Sequence, residues 1–597
     1  MTRRDRGLSA PRKRARLGLV VGAIAAVVLA GIPAAASAQL PSTTDPRVGL
    51  APGLDNPGVA ANGVALRAHR DKPPGFFAPG DPGNFGFLNS DLALEGDLAV
   101  VGGFRGFQVW NIADPSAPTL VSGVVCPGGQ GDPSLWGNLL FLSYENPSRT
   151  DCGTQAETAD TAFRGVRIFD LSNPASPVQV AAVQTCRGSH THTLVTDPDD
   201  ASAIYVYNSG TAGVRSTTHT NRPANCVEQP ANGSNPGRWS IDVIKVPLAV
   251  PQTAAVVSQP RLFRDPATGA IDGLQNAPQT PLHPSGIAWG PVPITDACHD
   301  ITAFPEIGLA AGACEGNGIL IDISDPVNPV RLDAVSDPRF AYWHSATFNN
   351  DGTKVIFTDE WGGGTAARCR PTDQLNWGAN AIFDIVDGKM VFRSYYKMPA
   401  AMANTENCVA HNGNLVPVPG RDLLSQGWYQ GGHSVVDFTD SANPKEIAYF
   451  DRGPVSTTAT LVFGGFWATY YYNGHTFATD LARGFDVFDY TPNADLSANE
   501  IQAASEPQLD RMNAQLQGQI VWAPSFAVVR SHLDQLVRAD GIDDQTLAKV
   551  TKHLEAAEAA TEGKKAKGQL TAAAAQLGGA ESFDALRGAL MDLAGTY

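Results

Sequence analysis

The sequence predicts an all-β fold, a seven-bladed β-propeller with a small C-terminal α-helical bundle, and three observations point to it. The first is the phrase RGVRIFDLSNPASPVQVAAV (Arg164–Val183): a glycine, an alternating apolar strand, an aspartate, an Asn-Pro turn and a second alternating strand. The second is its recurrence. RGFQVWNIADPSAPTLVSGV starts at Arg105, GNGILIDISDPVNPVRLDAV at Gly316 and GGHSVVDFTDSANPKEIAYF at Gly431, and shorter echoes at Arg238, Asn380 and Arg483 make seven copies, roughly 50 to 80 residues apart. The third is a further strand pair ahead of the phrase, as in HTHTLVTDPDDASAIYVYNS (His190–Ser209). Strand residues alternate faces, so Val166 and Ile168 need a neighbouring sheet to cover them. The Asx-Pro pair turns the corner, because a short acceptor side chain bonds its own backbone and proline fixes φ. A strand-only repeat at this period reads as a ring of four-stranded blades, with an array of open sandwiches as the competing architecture.

The elements follow in order. Residues 1–38 read as a signal peptide: seven basic residues precede an apolar run from Leu17 to Ile32, and Ala36-Ser37-Ala38 is a small-residue cleavage site before Gln39. Both Sec and twin-arginine export remain open, and no cysteine follows the run to accept a lipid. No later stretch is long and apolar enough to span a bilayer, so the mature chain is expected to be secreted and extracellular. Residues 39–85 are Pro/Gly-rich and mostly irregular, except for GVALRAHR (Gly63–Arg70). The last phrase lacks a following strand, and this early piece is the candidate to close the ring. Blades fill residues 86–490, with irregular insertions expected near 145–162, 211–236 and 258–297. A linker, 491–523, leads to a helical bundle at 524–597. There Phe526, Val529, Leu533 and Leu536 keep helical spacing, Gly541 stops it, and Leu547, Val550 and Leu554 resume after the cap-like Asp543. His532 and His553 of the bundle are expected to face solvent.

The formal charge is −16. Seven basic residues against Asp5 give the leader +6, leaving the remainder near −22. Such a surface disfavours nucleic acid. The eight cysteines of an exported chain are expected in disulfides, and they allow 105 connectivities. Blade register narrows them. Cys126, Cys186 and Cys298 precede the first strand of a blade, and Cys152, Cys226 and Cys314 follow its second strand, at the same end of an antiparallel pair. The expected bridges are Cys126–Cys152, Cys186–Cys226 and Cys298–Cys314, with Cys369–Cys408 joining neighbouring blades.

Chemistry is expected at the channel mouth. His190 and His192 (SHTHT), His299 (CHDIT), His344 (WHSAT) and His411 (AHNGN) each open the innermost strand of a blade. Asp91 and Asp132 hold the matching place in blades one and two, Trp467 holds it in blade seven, and Asp359 and Glu360 return to the same face. Neutral imidazole with carboxylate suits a transition metal (Cu, Zn, Fe or Mn), with Glu360 the candidate catalytic base. The alternative is a polar plug, in which these side chains satisfy channel backbone and water. The repeat aspartates Asp114, Asp170, Asp325 and Asp440 read as turn residues. No nucleophile elbow, P-loop or HExxH occurs, and the Gly362–Gly364 triplet opens no helix, so no nucleotide cofactor is expected.

GVRIFDLSNPASPV and GILIDISDPVNPV resemble the LVIVD-type repeat of secreted bacterial β-propellers. SHTHTLV, CHDIT, WHSATF, TDEWGGG and CVAHNGNLVPVPGRD resemble the blade openers of its actinobacterial members. That resemblance covers roughly 60 to 490 and implies a fold rather than an activity. More distantly, His344 ahead of Thr358-Asp359-Glu360-Trp361 resembles selenium-binding protein and methanethiol oxidase, which implies copper-dependent oxidation of a small thiol. Two functions therefore compete. One is an exported binding protein, taking a metal or small molecule at the mouth and a cell-envelope or extracellular protein across that face. The other is a copper-dependent thiol oxidase.

Overall fold

A computed structural model describes residues 39–597 apart from 225, 228–236, 272, 275–282, 287–291, 293 and 457. The expected signal peptide lies outside the described residues.

Seven antiparallel sheets form the propeller. Blade one spans Asn89–Val125, blade two Pro133–Gln184, blade three His192–Ser258, blade four Asp300–Val335 and blade five Trp343–Tyr396. In blade six, Gly413–Arg452 gains an outer fifth strand from Val59–Asn62. Blade seven takes three strands from Phe466–Tyr490, and its outermost strand is Val64–Asp71 from the start of the chain, paired antiparallel with Gly484–Tyr490. Closing a ring with a strand from the other end of the chain leaves no open seam between the first and last blades. Apolar faces of adjacent blades meet in continuous buried clusters, such as Phe107, Val109, Leu140, Leu142 and Phe169 between blades one and two.

The local reasons sit in the repeated phrase. Its aspartates, Asp114, Asp170, Asp325 and Asp440, accept backbone N–H bonds two residues ahead and cap exposed turns. Its glycine is needed for close approach. Gly106 and Gly165 have φ of 138° and 145°, and a Cβ there would overlap the carbonyl oxygens of Val124 and Val183 in the outer strand. Hydroxyls stitch the inner strands together across blades. Thr191 donates to the His299 carbonyl at 2.6 Å, Thr302 to Ala346 at 2.7 Å, Ser425 to Thr469 at 2.9 Å and Thr479 to Ser90 at 2.5 Å. These bonds fix the height of each innermost strand relative to the next.

All four disulfides, Cys126–Cys152, Cys186–Cys226, Cys298–Cys314 and Cys369–Cys408, are present, as blade register required. They fit an oxidising compartment. No helix among the described residues is long and apolar enough to cross a membrane. Strand order is more extensive than expected at 145–162, because the second strand of blade two continues to Arg149.

The helical region comprises α1 (Ala498–Ala504), α2 (Phe526–Arg538), α3 (Asp544–Glu558), α4 (Gly563–Gln576) and α5 (Asp584–Gly595). Ser497 and Glu500 form a capping box on α1, and Ser525 and Asp543 cap α2 and α3. Val529, Leu533, Val550, Leu554, Leu570 and Leu590 build a separate core. His532 and His553 are half-buried rather than solvent-facing. The first packs near Gly420 of the propeller, and the second shares a 2.7 Å hydrogen bond with Gln569.

Residues 509–522 form a strap across one mouth of the channel. Leu509 exchanges bonds with Asn473 of blade seven, Arg511–Met512 pairs with Leu94–Glu95 of blade one, and Asn513 makes two bonds to the Leu135 backbone of blade two. Gln515 and Gln517 bracket Ala303 of blade four, Gln517 also bonds the Phe348 backbone of blade five, and the Trp522 indole reaches Pro417 of blade six. Six of the seven blades are tied to this one segment.

Candidate metal centre

Four imidazoles from consecutive blades form an arc at the mouth opposite the strap. His190 precedes the inner strand of blade three and His299 that of blade four. His344 is the second residue of blade five, and His411 precedes the inner strand of blade six. Ring centroids are 4.1 Å apart for His190–His299, 4.0 Å for His299–His344 and 4.4 Å for His344–His411. Trp467, at the same register in blade seven, ends the arc with its ring 4.8 Å from His411.

Each imidazole is oriented by a partner on Nδ1. His411 Nδ1 lies 2.6 Å from the Trp467 carbonyl. A carbonyl only accepts, so Nδ1 carries the proton and Nε2 carries a lone pair. His190 Nδ1 bonds Glu145 at 2.6 Å, and Glu145 also accepts from Thr211. His299 Nδ1 lies 2.8 Å from Asp300 and His344 Nδ1 lies 3.3 Å from the Thr358 hydroxyl. The buried Nε2 atoms of His190 and His411 have no hydrogen-bond partner. Acceptors on Nδ1 that fix the tautomer and leave Nε2 exposed to the site are how metal-binding histidines are held.

Glu360 supplies the carboxylate. Its two oxygens stand 3.8 Å from His344 Nε2 and 3.8 Å from His411 Nε2, too far for hydrogen bonds, while the Tyr429 hydroxyl donates to it at 2.6 Å. Tyr429 holds a left-handed backbone, φ 52°, and a Cβ on Gly364 would overlap its hydroxyl. The chain is moulded around that contact. Donor atoms of His344, Glu360 and His411 lie within 4.8 Å of one another, as do those of His299, Asp300 and His344.

Burial sets the charge states. It pushes His411 down to about 3 and holds His299 and His344 well below the usual imidazole value, with neighbouring imidazoles adding to the effect. His190 goes the other way. Burial lowers it, but the Glu145 carboxylate outweighs that and raises it. Burial lifts Glu360 to about 7 against the opposing Tyr429 bond. His299, His344 and His411 are therefore neutral at ordinary pH, whereas Glu145 holds His190 toward its charged form.

The remaining predicted residues lie elsewhere. His192 turns between blades two and three, its Nδ1 2.8 Å from the Ser143 hydroxyl and its ring 6.2 Å from Phe141. Asp91 accepts from Asn412 at 2.7 Å, Asp132 lies 3.4 Å from His192, and both are buried outside the two donor clusters. Asp359 is structural: it accepts the backbone N–H groups of Ala341, Tyr342 and Gly378. Sequence reasoning missed Glu145, Asp300, Tyr429 and Gln515. Glu145 falls where an irregular insertion was expected, and Tyr429 stands in the Gly-flanked WYQGG, which carries no strand or motif signal. Asp300 was legible, being adjacent to His299.

A family model described as the LVIVD repeat matches residues 162–185, the strand–turn–strand phrase of blade two. No curated protein matches the chain. Among solved structures, a periplasmic gluconolactonase of Pseudomonas aeruginosa is similar at 13% identity and a TM-score of 0.37, covering 68% of this chain and 99% of that one. A protein from Lactobacillus plantarum is similar at 11% identity and 0.36, covering 61% and 83%. The computationally designed Ika8 protein is similar at 9% identity and 0.34, covering 68% and 96%.

Proposed function

We propose that this LVIVD-repeat propeller is an exported metal-binding protein whose channel mouth holds one transition-metal ion between His344, His411 and Glu360, with His299 and His190 completing the arc. One observation carries the reading. His411 Nε2, a lone pair by the logic of its Trp467 partner, has no hydrogen-bond partner and stands 3.8 Å from the Glu360 oxygen that Tyr429 orients. Two buried acceptors facing each other are unfavourable, and a cation between them removes that cost. All eight cysteines are in disulfides, so thiolates are not among the ligands. Nitrogen with a single carboxylate, among the divalent ions, favours copper or zinc.

Metal analysis of the purified mature protein tests this. The expected result is one copper or zinc per chain, lost in His344→Ala and in His411→Ala while the fold, judged by circular dichroism and intact disulfides, is retained. A metal-free protein that also fails to take up either ion on titration would refute it.

A further inference from the structure

The compact unit that carries the propeller begins at Gln39. That is the residue directly after the Ala36-Ser37-Ala38 cleavage signal. A signal in the sequence and a boundary in the fold thus coincide at one peptide bond. Cutting that bond leaves a glutamine with a free α-amine at the start of the mature chain.

From Gln39 an arm runs along blades five, six and seven before it enters the sheets. The Gln39 carbonyl accepts the Leu375 N–H of blade five at 2.9 Å, and Ser42 exchanges backbone bonds with Pro399 and Ala401 at 2.7 and 2.9 Å. Arg47, 1% exposed, pairs with Asp45 and with Glu446 of blade six and lies 4.1 Å from the Tyr449 ring. Arg483 of blade seven donates to the carbonyls of Gly53 and Leu54. The arm is tied down from its first residue, but that first residue is tied only by its carbonyl oxygen. Gln39 and Leu40 are exposed, and among the described residues no hydrogen bond reaches the Gln39 side-chain amide.

We propose that Gln39 of the mature chain is a modification site, where the exposed terminal glutamine closes to pyroglutamate. The lone pair of the α-amino nitrogen forms a bond to Cδ of its own side-chain amide. The bond from Cδ to the amide nitrogen breaks, and that nitrogen leaves as ammonia with the proton the amine gives up. Nothing is oxidised or reduced, and no co-reactant is consumed. The ring contains N, Cα, Cβ, Cγ and Cδ of Gln39. Its carbonyl lies outside the ring, so the bond from Leu375 survives closure. A neutral amide replaces the terminal ammonium. An amide nitrogen has no basic lone pair, so the capped end does not compete with the imidazole arc for a transition metal. The modification rests on the export proposed for this chain and is independent of any bound metal.

The test expresses the full chain with its own leader in an exporting bacterium, purifies it from outside the cytoplasm and examines its N-terminal peptide by mass spectrometry and Edman degradation. The expected peptide starts at Gln39, is lighter than its sequence by one ammonia, and resists Edman degradation until pyroglutamyl peptidase removes the first residue. Gln39→Ala is expected to start at the same position with its full mass and an open amine. A second preparation is released at Gln39 from a fusion partner and kept folded at neutral pH. It is expected to lose ammonia no more slowly than its urea-denatured form. A chain that keeps its leader or starts at another residue overturns the cleavage and the cap together. A chain that starts at Gln39 with its amide intact overturns the cap alone, and so does one that cyclises only after denaturation.

Discussion

The two mouths of the channel differ: one carries buried imidazoles at the starts of the innermost strands, and the other is crossed by the strap. The first presents nitrogens: four imidazoles with Nδ1 anchored and one carboxylate held by Tyr429. At the second, a segment from outside the propeller ties blades together through backbone and amide hydrogen bonds. The ring symmetry supplies position, and residue type supplies chemistry. Position alone is not enough: His192 occupies a strand start yet faces the interior between blades, whereas His190, two residues earlier in a bend, reaches the arc.

The sharpest way to break this contrast is to remove a nitrogen from the imidazole arc. His344→Ala is expected to weaken copper or zinc binding by more than about 100-fold, measured by competition with a chelator, with the fold retained. Tyr429→Phe removes the hydrogen bond to Glu360 and leaves the ring in place. It is expected to weaken the same ion about tenfold in the same assay.

The protons held by buried carboxyls give a smaller effect with a definite sign. Burial holds Asp91, Asp359 and Glu360 at about 7, while their unfolded counterparts ionise near 4. Between pH 7 and 8.5 the folded chain thus binds more protons than the unfolded one. Unfolded histidines are by then largely neutral, so stability of the metal-free protein falls as pH rises. Denaturant unfolding across that window is expected to show the decline, and saturating the imidazole site with metal is expected to reduce it. The smallest effect belongs to the perimeter. Asp170→Ala loses an exposed turn bond and is expected to move the unfolding temperature by less than about 2 °C, with metal content unchanged.

Much of this was legible in the sequence because the responsible physics is local. Alternating strands, Asx-Pro corners and a glycine that lets the outer strand approach are short-range signals, and they recur. The cysteine pairing was readable once two positions at one end of a hairpin were recognised, and it also required the bridge between blades. His299, His344 and His411 were readable by register. The rest depended on contacts across hundreds of residues. Nothing near Gln515 announces a strap, because its backbone partner Ala303 and its side-chain neighbours Asp132 and Asp300 are remote in the chain. Tyr429 is defined by Glu360 and by the space Gly364 leaves, neither visible from its neighbours in sequence. Glu145 belongs to a strand that outlasts its own alternation.

X-ray absorption at the metal edge of copper- or zinc-loaded protein tests the central claim most directly. The expected spectrum has a nitrogen and oxygen shell at about 2.0 Å with imidazole multiple scattering from at least two rings, reduced by one ring in His411→Ala. A shell of oxygens without imidazole scattering, or a spectrum unchanged by that substitution, would contradict a metal centre in the imidazole arc.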